Sequence, residues 1–176
     1  YILSPVKSGV MLIDQRRAHE RILFEQMLLA LQQQQPLAQQ SLFPETVSLN
    51  AADYQVCLEM IKDMEKLGFD IRDFGNNSVV VHGFPAAMKP AAASDTIEFM
   101  IEQYKSLQGL NDTQQAEKIC RAAAKTSAIH YGLQLSDIEM QELIDQLFAC
   151  ETPNYTPSGS LIVRIIGLEE LDSQFK

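Results

Sequence analysis

The sequence lacks the features that would place a protein in a membrane or outside the cell. No apolar run among its 176 residues is long enough to span a bilayer, and no signal-peptide pattern opens the chain. Its three cysteines, Cys57, Cys120 and Cys150, lie far apart and each among apolar residues. This spacing is typical of buried thiols in a cytosolic protein rather than of disulfides or a zinc knuckle.

Positive charge is scarce as well. The chain has 14 lysine and arginine residues against 23 aspartate and glutamate residues, which gives a formal net charge of −9. A domain that binds duplex DNA tightly usually carries a basic excess, so a protein partner is the better first hypothesis. The hypothesis that the chain is a DNA-binding module is therefore weak. Its only support is a basic strip of Arg16, Arg17, Arg21 and Lys125.

What the sequence does contain is ordinary for a globular protein. It is 46% hydrophobic and 21% charged, and the chain is long enough to bury a core. This fits one domain, or one domain split into two lobes. The chain starts abruptly in strand-like sequence, Tyr1-Ile2-Leu3, so we expect a fragment of a longer protein.

Turn and cap residues divide the chain into strands and helices. We predict strands at residues 1–4, 10–13, 46–49, 69–74, 78–83 and 161–166, and helices at 15–33, 50–67, 94–107 and 112–129, from Ser136 onward and after Gly167. The glutamine-rich stretches 32–35 and 39–40 are predicted to form a polar connector. The last strand has no neighbour in the sequence to pair with, so we expect it to join the opening hairpin.

This order predicts an α+β fold with two lobes. Residues 1–33 and 123–176 would form an internal subdomain of sheet and helix from both chain ends. Residues 34–122 would form an inserted external subdomain with a β-α-β-β core.

The junction at Asp14 is the first candidate functional site. Asp14 follows the apolar strand at residues 10–13, where a helix begins, and Glu20 lies further along that helix. Two carboxylates near the carboxyl end of a strand could share a metal ion. They could equally be a helix cap and a solvated surface residue, because acidic residues are common at helix starts. Spacing alone leaves both interpretations open.

Several segments resemble the C-terminal domain of the MutL mismatch-repair proteins. They are residues 1–15 with His19-Glu20-Arg21, Leu67-Gly68-Phe69, Gly83-Phe84-Pro85, Ser127-Ala128-Ile129 and the run 145–153. The resemblance covers essentially the whole chain. It implies an internal subdomain that dimerises and an external one inserted into it. It also implies that ATP and magnesium bind in an N-terminal domain outside this sequence.

Many MutL proteins carry a latent nicking endonuclease in this domain. Its main motif reads Asp-Gln-His-Ala, two residues, Glu, four residues, Glu. Asp14, Gln15, Glu20 and Glu25 match this motif, but Arg16 stands where the family has histidine. Arginine keeps its charge and cannot bind a metal as a ligand.

The other ligands that the resemblance implies are also replaced. Lys125 stands at the cysteine position of an Ala-Cys-Arg type motif, and Thr156 and Ser158 stand at the cysteine and histidine positions of the final motif. Zinc prefers sulfur and nitrogen ligands, so only Glu20 would remain as a strong one. We therefore expect a degenerate, inactive endonuclease site without a metal. The alternative is a nicking endonuclease that uses manganese or zinc at Asp14 and Glu20.

The replacements suggest a specific arrangement of charges. Arg16 and Lys125 would lie where the family binds its metal, close to Asp14 and Glu20. We expect these cations to replace the metal in a cluster of ion pairs. The alternative is that the four side chains extend into solvent, because exposed ion pairs contribute little.

A second motif lies in the predicted connector. Gln39, Leu42 and Pro44 match the pattern Gln, two residues, Leu, one residue, Pro, and Phe43 adds a second apolar side chain. The resemblance implies that this segment docks on the replication sliding clamp, with Leu42 and Phe43 in an apolar groove. The alternative is that Leu42 and Phe43 pack under the external subdomain's own sheet.

The resemblance also implies the remaining partners. We expect a homodimer whose interface includes Leu161, Ile162, Val163 and Ile165, because a stable interface needs an extensive apolar patch. A mismatch-recognition protein of the MutS type would be a further partner, and DNA would be contacted only indirectly. We expect no membrane contact and a location in the bacterial cytoplasm, at the nucleoid.

Overall fold

The computed structural model describes residues 1–33, 38–85, 92–105 and 112–176. In this part of the chain the elements are β1 (Ile2–Val6), β2 (Gly9–Ile13), α1 (Gln15–Gln32), β3 (Ala38–Ser48), α2 (Ala51–Lys66), β4 (Asp70–Gly75), β5 (Ser78–Pro85), α3 (Ala93–Lys105), α4 (Asp112–Ser127), α5 (Asp137–Ala149), β6 (Val163–Gly167) and α6 (Leu168–Ser173). The strands form two antiparallel sheets of three strands each. The chain is therefore a mixed α and β protein, in agreement with the predicted α+β class.

The residues cluster into two compact units. The first unit is Tyr1–Ile22 with Ala128–Lys176, and the second is Leu23–Ser127. The predicted subdomain boundaries, at 33/34 and 122/123, stay a prediction. Helix α1 contributes residues to both hydrophobic cores. Ala18 and Ile22 belong to the core of the first unit, and Leu23 and Met27 belong to that of the second.

The sheet of the first unit has the strand order β1-β2-β6. The final strand therefore pairs with the opening hairpin, which confirms that prediction. Gly9 has a φ of +149°, and a Cβ there would lie 2.0 Å from the carbonyl oxygen of Ile166, so this close approach of β2 and β6 requires glycine. The core beneath the sheet is formed by Ile2, Ile13, Ala18, Ile22, Leu143, Leu147 and Ile162.

Helix α5 packs in this core and starts at a capping box. The side chain of Ser136 accepts a hydrogen bond from the N–H of Glu139, and the side chain of Glu139 accepts one from the N–H of Ser136. The structure confirms this predicted cap.

The sheet of the second unit has the strand order β3-β5-β4. Asn50 caps α2 as predicted, with its side chain accepting from the N–H of Asp53. The tight turn between β4 and β5 contains Asn76 and Asn77, with φ angles of 50° and 56°, which asparagine tolerates better than most residues. The core of this unit includes Cys57, Met60, Met64, Ile71, Val79, Val81, Ile97 and Met100.

Strand β3 corrects one prediction. It begins at Ala38 rather than near Thr46, so Gln39 and Gln40 are part of a strand and not of a polar connector. Their backbones pair with Phe84 and Gly83 of β5. The backbone groups of Gln39 and Gln40 pair with β5 whatever their side chains are. The polar side chains therefore gave no sign of a strand at this place. Residues 34–35 of the predicted connector lie outside the described residues.

Candidate functional site

The carboxylate of Asp14 is buried at the start of α1 and bonds to protein groups. Its Oδ1 accepts from the backbone N–H of Arg17 at 3.1 Å, and its Oδ2 accepts from the hydroxyl of Tyr131 at 3.1 Å. The Nε of Arg17 lies 3.4 Å from Oδ2. The backbone N–H of Asp14 donates to the carbonyl of Ile162 at 3.0 Å. Asp14 therefore caps α1 and links it to the C-terminal part of the first unit.

The side chains that follow Asp14 donate to backbone carbonyls of that same C-terminal part. Gln15 donates to Leu133 at 2.7 Å, Arg17 to Leu161 at 2.7 Å and Arg21 to Tyr155 at 2.7 Å. Arg21 is 8% exposed, so its guanidinium is held inside the unit. We call Gln15, Arg16, Arg17 and Arg21 the donor row. The basic strip that could have contacted DNA is instead largely engaged within the protein.

Arg16 occupies the histidine position of the nuclease motif. Its Nη1 lies 3.3 Å from the carbonyl oxygen of Ile129, 3.5 Å from that of Ala128 and 3.4 Å from Nδ1 of His130. Its guanidinium also lies 5.6 Å from the centre of the Tyr131 ring. A guanidinium fixed in this way presents donors and no lone pair to a cation.

The contacts of these side chains bear on the predicted cluster of ion pairs only in part. Asp14 forms its ion pair with Arg17. Glu20 is 8% exposed and lies in the first unit, whereas Lys125 and Glu25 belong to the second unit. A cluster of Arg16 and Lys125 with Asp14 and Glu20 stays a prediction.

The segment at the final motif forms a closed turn. The backbone N–H of Thr156 donates to the carbonyl of Ser160 at 2.8 Å, and the N–H of Ser160 donates to the Oγ1 of Thr156 at 3.0 Å. The hydroxyls of Thr156 and Ser158 lie 3.0 Å apart. Thr156 is 3% exposed. The two residues at the expected ligand positions therefore bond to each other and to the turn itself.

These residues do not fit a zinc or manganese site of the family type. Among the described residues no group of three or more His, Cys, Asp or Glu side chains is placed to hold a metal ion. The positions that would supply sulfur and imidazole carry hydroxyl, ammonium and guanidinium groups. No catalytic step through a metal follows from this arrangement.

Sequence reasoning kept His19 only as a weak candidate and missed Tyr131 altogether. The Nδ1 of His19 accepts from the backbone N–H of Ile129 at 3.1 Å, and Tyr131 bonds to Asp14. Burial and, secondarily, the charge of Asp14 raise the pKa of Tyr131 above its ordinary value. Asp14 and Tyr131 are 117 positions apart in the chain, so no local pattern could have linked them.

The second motif is presented on the surface of the second unit. Leu42 is 91% exposed and Phe43 is 81% exposed. Strand β3 pairs with β5 up to Gln40 and again from Glu45, so residues 41–44 bulge out of the ladder. We call residues 41–44 the extruded loop. The alternative in which Leu42 and Phe43 pack under their own sheet is wrong.

The predicted interface residues differ in exposure. Ile162 is 3% exposed and lies in the core of the first unit, so its side chain is withdrawn from the surface. Leu161 is 43% exposed and Ile165 is 54% exposed, while Val163 is half-buried. Leu3 of β1, which sequence reasoning did not single out, is 68% exposed.

The cysteines agree largely with the expectation of buried thiols. Cys57 and Cys120 are buried, and Cys150 is half-buried. Burial raises the pKa of Cys57 to about 11 and that of Cys120 to about 12. Both thiols therefore stay protonated and unreactive near neutral pH.

Comparison with known proteins identifies the family. The sequence profile of the MutL C-terminal dimerisation domain matches residues 1–135. The chain belongs to this family. It is 38% identical, over its whole length, to the DNA mismatch repair protein MutL of Bacteroides fragilis. It is 38% identical to that of Chloroherpeton thalassium over 99% of the chain, and 37% identical to that of Parabacteroides distasonis over 100% of it.

The chain spans only part of these MutL proteins. It covers 28%, 27% and 29% of their respective lengths. The resemblance seen in the sequence is thereby confirmed for the C-terminal dimerisation domain. Within the described part of this domain, no helix is long and apolar enough to cross a membrane.

Proposed function

We propose that this domain pairs two copies of a DNA mismatch-repair protein and docks partner proteins, without cutting DNA itself. The proposal that the domain does not cut DNA rests on the position of Arg16. It stands at the histidine position of the nuclease motif and contacts the carbonyls of Ala128 and Ile129. A cation held there opposes the binding of a metal cation, and the domain needs no metal or nucleotide of its own.

A plasmid-nicking assay tests this proposal against the alternative enzyme. The alternative rests on Asp14 and Glu20, which are both retained and are 6% and 8% exposed. We expect no nicking of supercoiled plasmid above background in manganese or zinc. Wild-type protein and Asp14→Asn should therefore be indistinguishable. Manganese-dependent nicking that Asp14→Asn abolishes would establish the endonuclease instead.

The dimer interface is proposed to lie on the sheet of the first unit. One row of this sheet, Ile2, Ile13 and Val163, faces the unit's own core. The next row, on the other face, consists of Leu3, Leu12 and Arg164, of which Leu3 and Leu12 pair with each other. The apolar part of this face, at Leu3 and Leu12, needs cover as the core face does.

Exposed apolar side chains surround this sheet and complete the proposed interface. They include Leu161 just before β6 and Ile165 within it, which the sequence analysis named, and Leu168 at the start of α6 at 56% exposure. Ile165 pairs with Met11, so it lies on the opposite face from Leu3 and Leu12. In a symmetric dimer each of these residues occurs twice, so a modest patch on one protomer doubles in the assembly. Ile162 is left out of the interface because it lies in the core.

Charge insertion tests the interface without disturbing the protomer's core. Leu3→Glu and Ile165→Glu each place a carboxylate at a position that is more than half exposed in the single chain. We expect each to weaken dimerisation by about tenfold or more, because an unpaired charge would be buried in the complex. Phe74→Glu is the matched control, since Phe74 is also 68% exposed but lies in the second unit. Sedimentation at two concentrations measures the effect, and dimers as stable as the control would contradict the interface.

The extruded loop is proposed to dock on the replication sliding clamp. Its exposure supports this, because Leu42 and Phe43 would otherwise leave two large apolar side chains in water. An extended segment that presents alternate side chains suits a groove on a partner's surface. Gln39 precedes the loop and is itself exposed, and Pro44 closes the motif.

Alanine substitution tests the docking. Leu42→Ala with Phe43→Ala should abolish binding to the sliding clamp in surface plasmon resonance, while circular dichroism stays unchanged. Phe74→Ala is the control for loss of an exposed aromatic ring in the same unit. Undiminished binding by the double variant would remove the docking proposal.

The remaining partners follow from the same proposal. The net charge of −9 and the engagement of Arg16, Arg17 and Arg21 inside the first unit disfavour direct contact with DNA. We therefore assign mismatch sensing to a separate protein of the MutS type. The dimer would act in the bacterial cytoplasm at the nucleoid.

A further inference from the structure

The base of the extruded loop contains an unusual crossing of the sheet. Gly83 on the central strand β5 pairs with Gln40 of β3 on one side and with Asp70 of β4 on the other. Because Gly83 has no side chain, the Nε2 of Gln40 reaches the Oδ2 of Asp70 directly, at 3.1 Å. The edge strands of this sheet are thus joined by side chains across the strand between them.

Glycine is also required at position 83 for a second reason. A Cβ there would lie 2.8 Å from the carbonyl oxygen of Gln39 and 3.4 Å from the Cα of Gln40. Any side chain would therefore push β3 away from β5 at the point where the extruded loop leaves the ladder. Both ladders change register at this place, between Gln40 and Glu45 in one and between Asp70 and Ile71 in the other.

The acceptor of this contact is itself held in place. The Nε and Nη2 of Arg72 lie 3.1 and 3.3 Å from the two carboxylate oxygens of Asp70. Hydrogen bonding to Arg72, with a smaller contribution from Gln40, holds the pKa of Asp70 below its ordinary value. At the loop itself, the hydroxyl of Ser41 donates to the carbonyl of Phe43 at 2.8 Å.

We propose that Gln40, Gly83 and Asp70 form a clasp that positions the extruded loop for its partner. This role of the clasp rests on the docking function proposed above. It fixes the last paired residue before Leu42 and Phe43, so the backbone of the extruded loop leaves the ladder at a fixed point. A loop ordered before binding loses less conformational entropy on docking, and the clasp residues therefore strengthen binding without contacting the partner.

Three substitutions at two positions of the clasp test its role. Asp70→Ala removes the acceptor, Gly83→Ala inserts the clashing Cβ, and Asp70→Asn retains an oxygen that can accept from Gln40. We expect Asp70→Ala and Gly83→Ala to weaken clamp binding by about three- to tenfold. Asp70→Asn should bind nearly as well as wild type. Asp63→Ala is the control, because it also removes a surface ion pair of the second unit, that with Lys66.

Hydrogen exchange supplies a measurement that does not depend on the clamp. Exchange of the backbone amides of residues 41–43 and of Glu45 should accelerate in Asp70→Ala and Gly83→Ala, and that of α2 should not. If Leu42→Ala with Phe43→Ala leaves clamp binding intact, the docking function fails, and the exchange data still decide whether the clasp orders the loop. If that double variant abolishes binding while Asp70→Ala and Gly83→Ala bind and exchange like wild type, the clasp is refuted.

Discussion

Removal of the Asp14 carboxylate separates a structural role from a catalytic one. Asp14→Ala deletes the cap bond to Arg17, which is typically worth about 0.5–2 kcal/mol. It also deletes the bond from Tyr131, worth about 0.5–1.5 kcal/mol. The ion pair with Arg17 adds little, because the Arg17 side chain is 41% exposed. These contributions share one carboxylate and do not add fully, so we expect a loss of about 2 kcal/mol in stability of the first unit.

The conservative variant should behave differently. Asp14→Asn keeps an oxygen that can accept from the backbone N–H of Arg17, but it loses the charge and replaces the oxygen that accepts from Tyr131 with an NH2 group. We expect it to cost about 1 kcal/mol. Hydrogen exchange of the β2 amides at increasing urea reports on the first unit separately from the second. Asp137→Asn is the control, since Asp137 is an exposed carboxylate in the first turn of α5.

The outcome that refutes the reasoning is specific. If Asp14→Ala is as stable as the Asp137 variant, the carboxylate does not hold α1 to the C-terminal part of the unit. If the same variant also loses a manganese-dependent nicking activity, the retained carboxylate serves catalysis. A loss of stability with no activity in either protein supports the structural role.

Two further predictions concern titration and reactivity. Tyr131 should titrate above the ordinary tyrosine pKa because its hydroxyl is partly desolvated and faces the charge of Asp14. Its contribution to stability is complete below the unfolded value of about 10 and is lost as pH rises through the folded pKa. Asp14→Asn should lower that pKa part-way, measured from phenolate absorbance after subtraction of a Tyr131→Phe spectrum, and an unchanged pKa contradicts this. A thiol reagent at neutral pH should label Cys150 before Cys57 and Cys120, and equal labelling of the native protein would contradict their burial.

The parts of the fold that sequence reasoning predicted correctly are mostly set by local interactions. The caps of α5, at Ser136 and Glu139, and of α2, at Asn50, involve N–H groups within one helical turn. Such caps can be predicted from residues that are close in the sequence. The turn at Asn76 and Asn77 needs left-handed backbone angles, and the two asparagines predict such a turn because they tolerate these angles. Each of these features depends only on residues close together in the chain.

The parts that sequence reasoning missed depend on distant partners. The carbonyls that accept from the donor row lie more than a hundred positions away from it, as for Arg17 and Leu161 at a separation of 144. Backbone carbonyls carry no residue identity, so no motif can mark them. The expectation of an ion pair for Arg16 came from side-chain charge, whereas its contacts in the structure include neutral carbonyl oxygens.

The strand predicted at residues 161–166, which the structure has at Val163–Gly167, shows a third limit of prediction from sequence. Its apolar letters predicted a strand correctly, but Ile162 enters the core while Leu161 beside it is 43% exposed. Neighbouring positions along an extended chain point to opposite sides. A run in which every letter is apolar therefore does not indicate which residues remain for a partner. Exposure in the folded unit, as at Leu3 and Ile165, supplies that distinction.

Under the function proposed above, the donor row also explains why Arg16→His alone would not produce a nuclease. Arg16→His would restore an imidazole, but Lys125, Thr156 and Ser158 would still lack the lone pairs that zinc prefers. The same change would delete the contacts of Arg16 with the carbonyls of Ala128 and Ile129, which help to hold residues after α4 against α1. A metal cross-links a site by binding several ligands, and here fixed guanidinium groups cross-link neutral carbonyls instead. Once the fold of the first unit relies on those donors, each step back toward a metal site costs stability before any ligand set is complete.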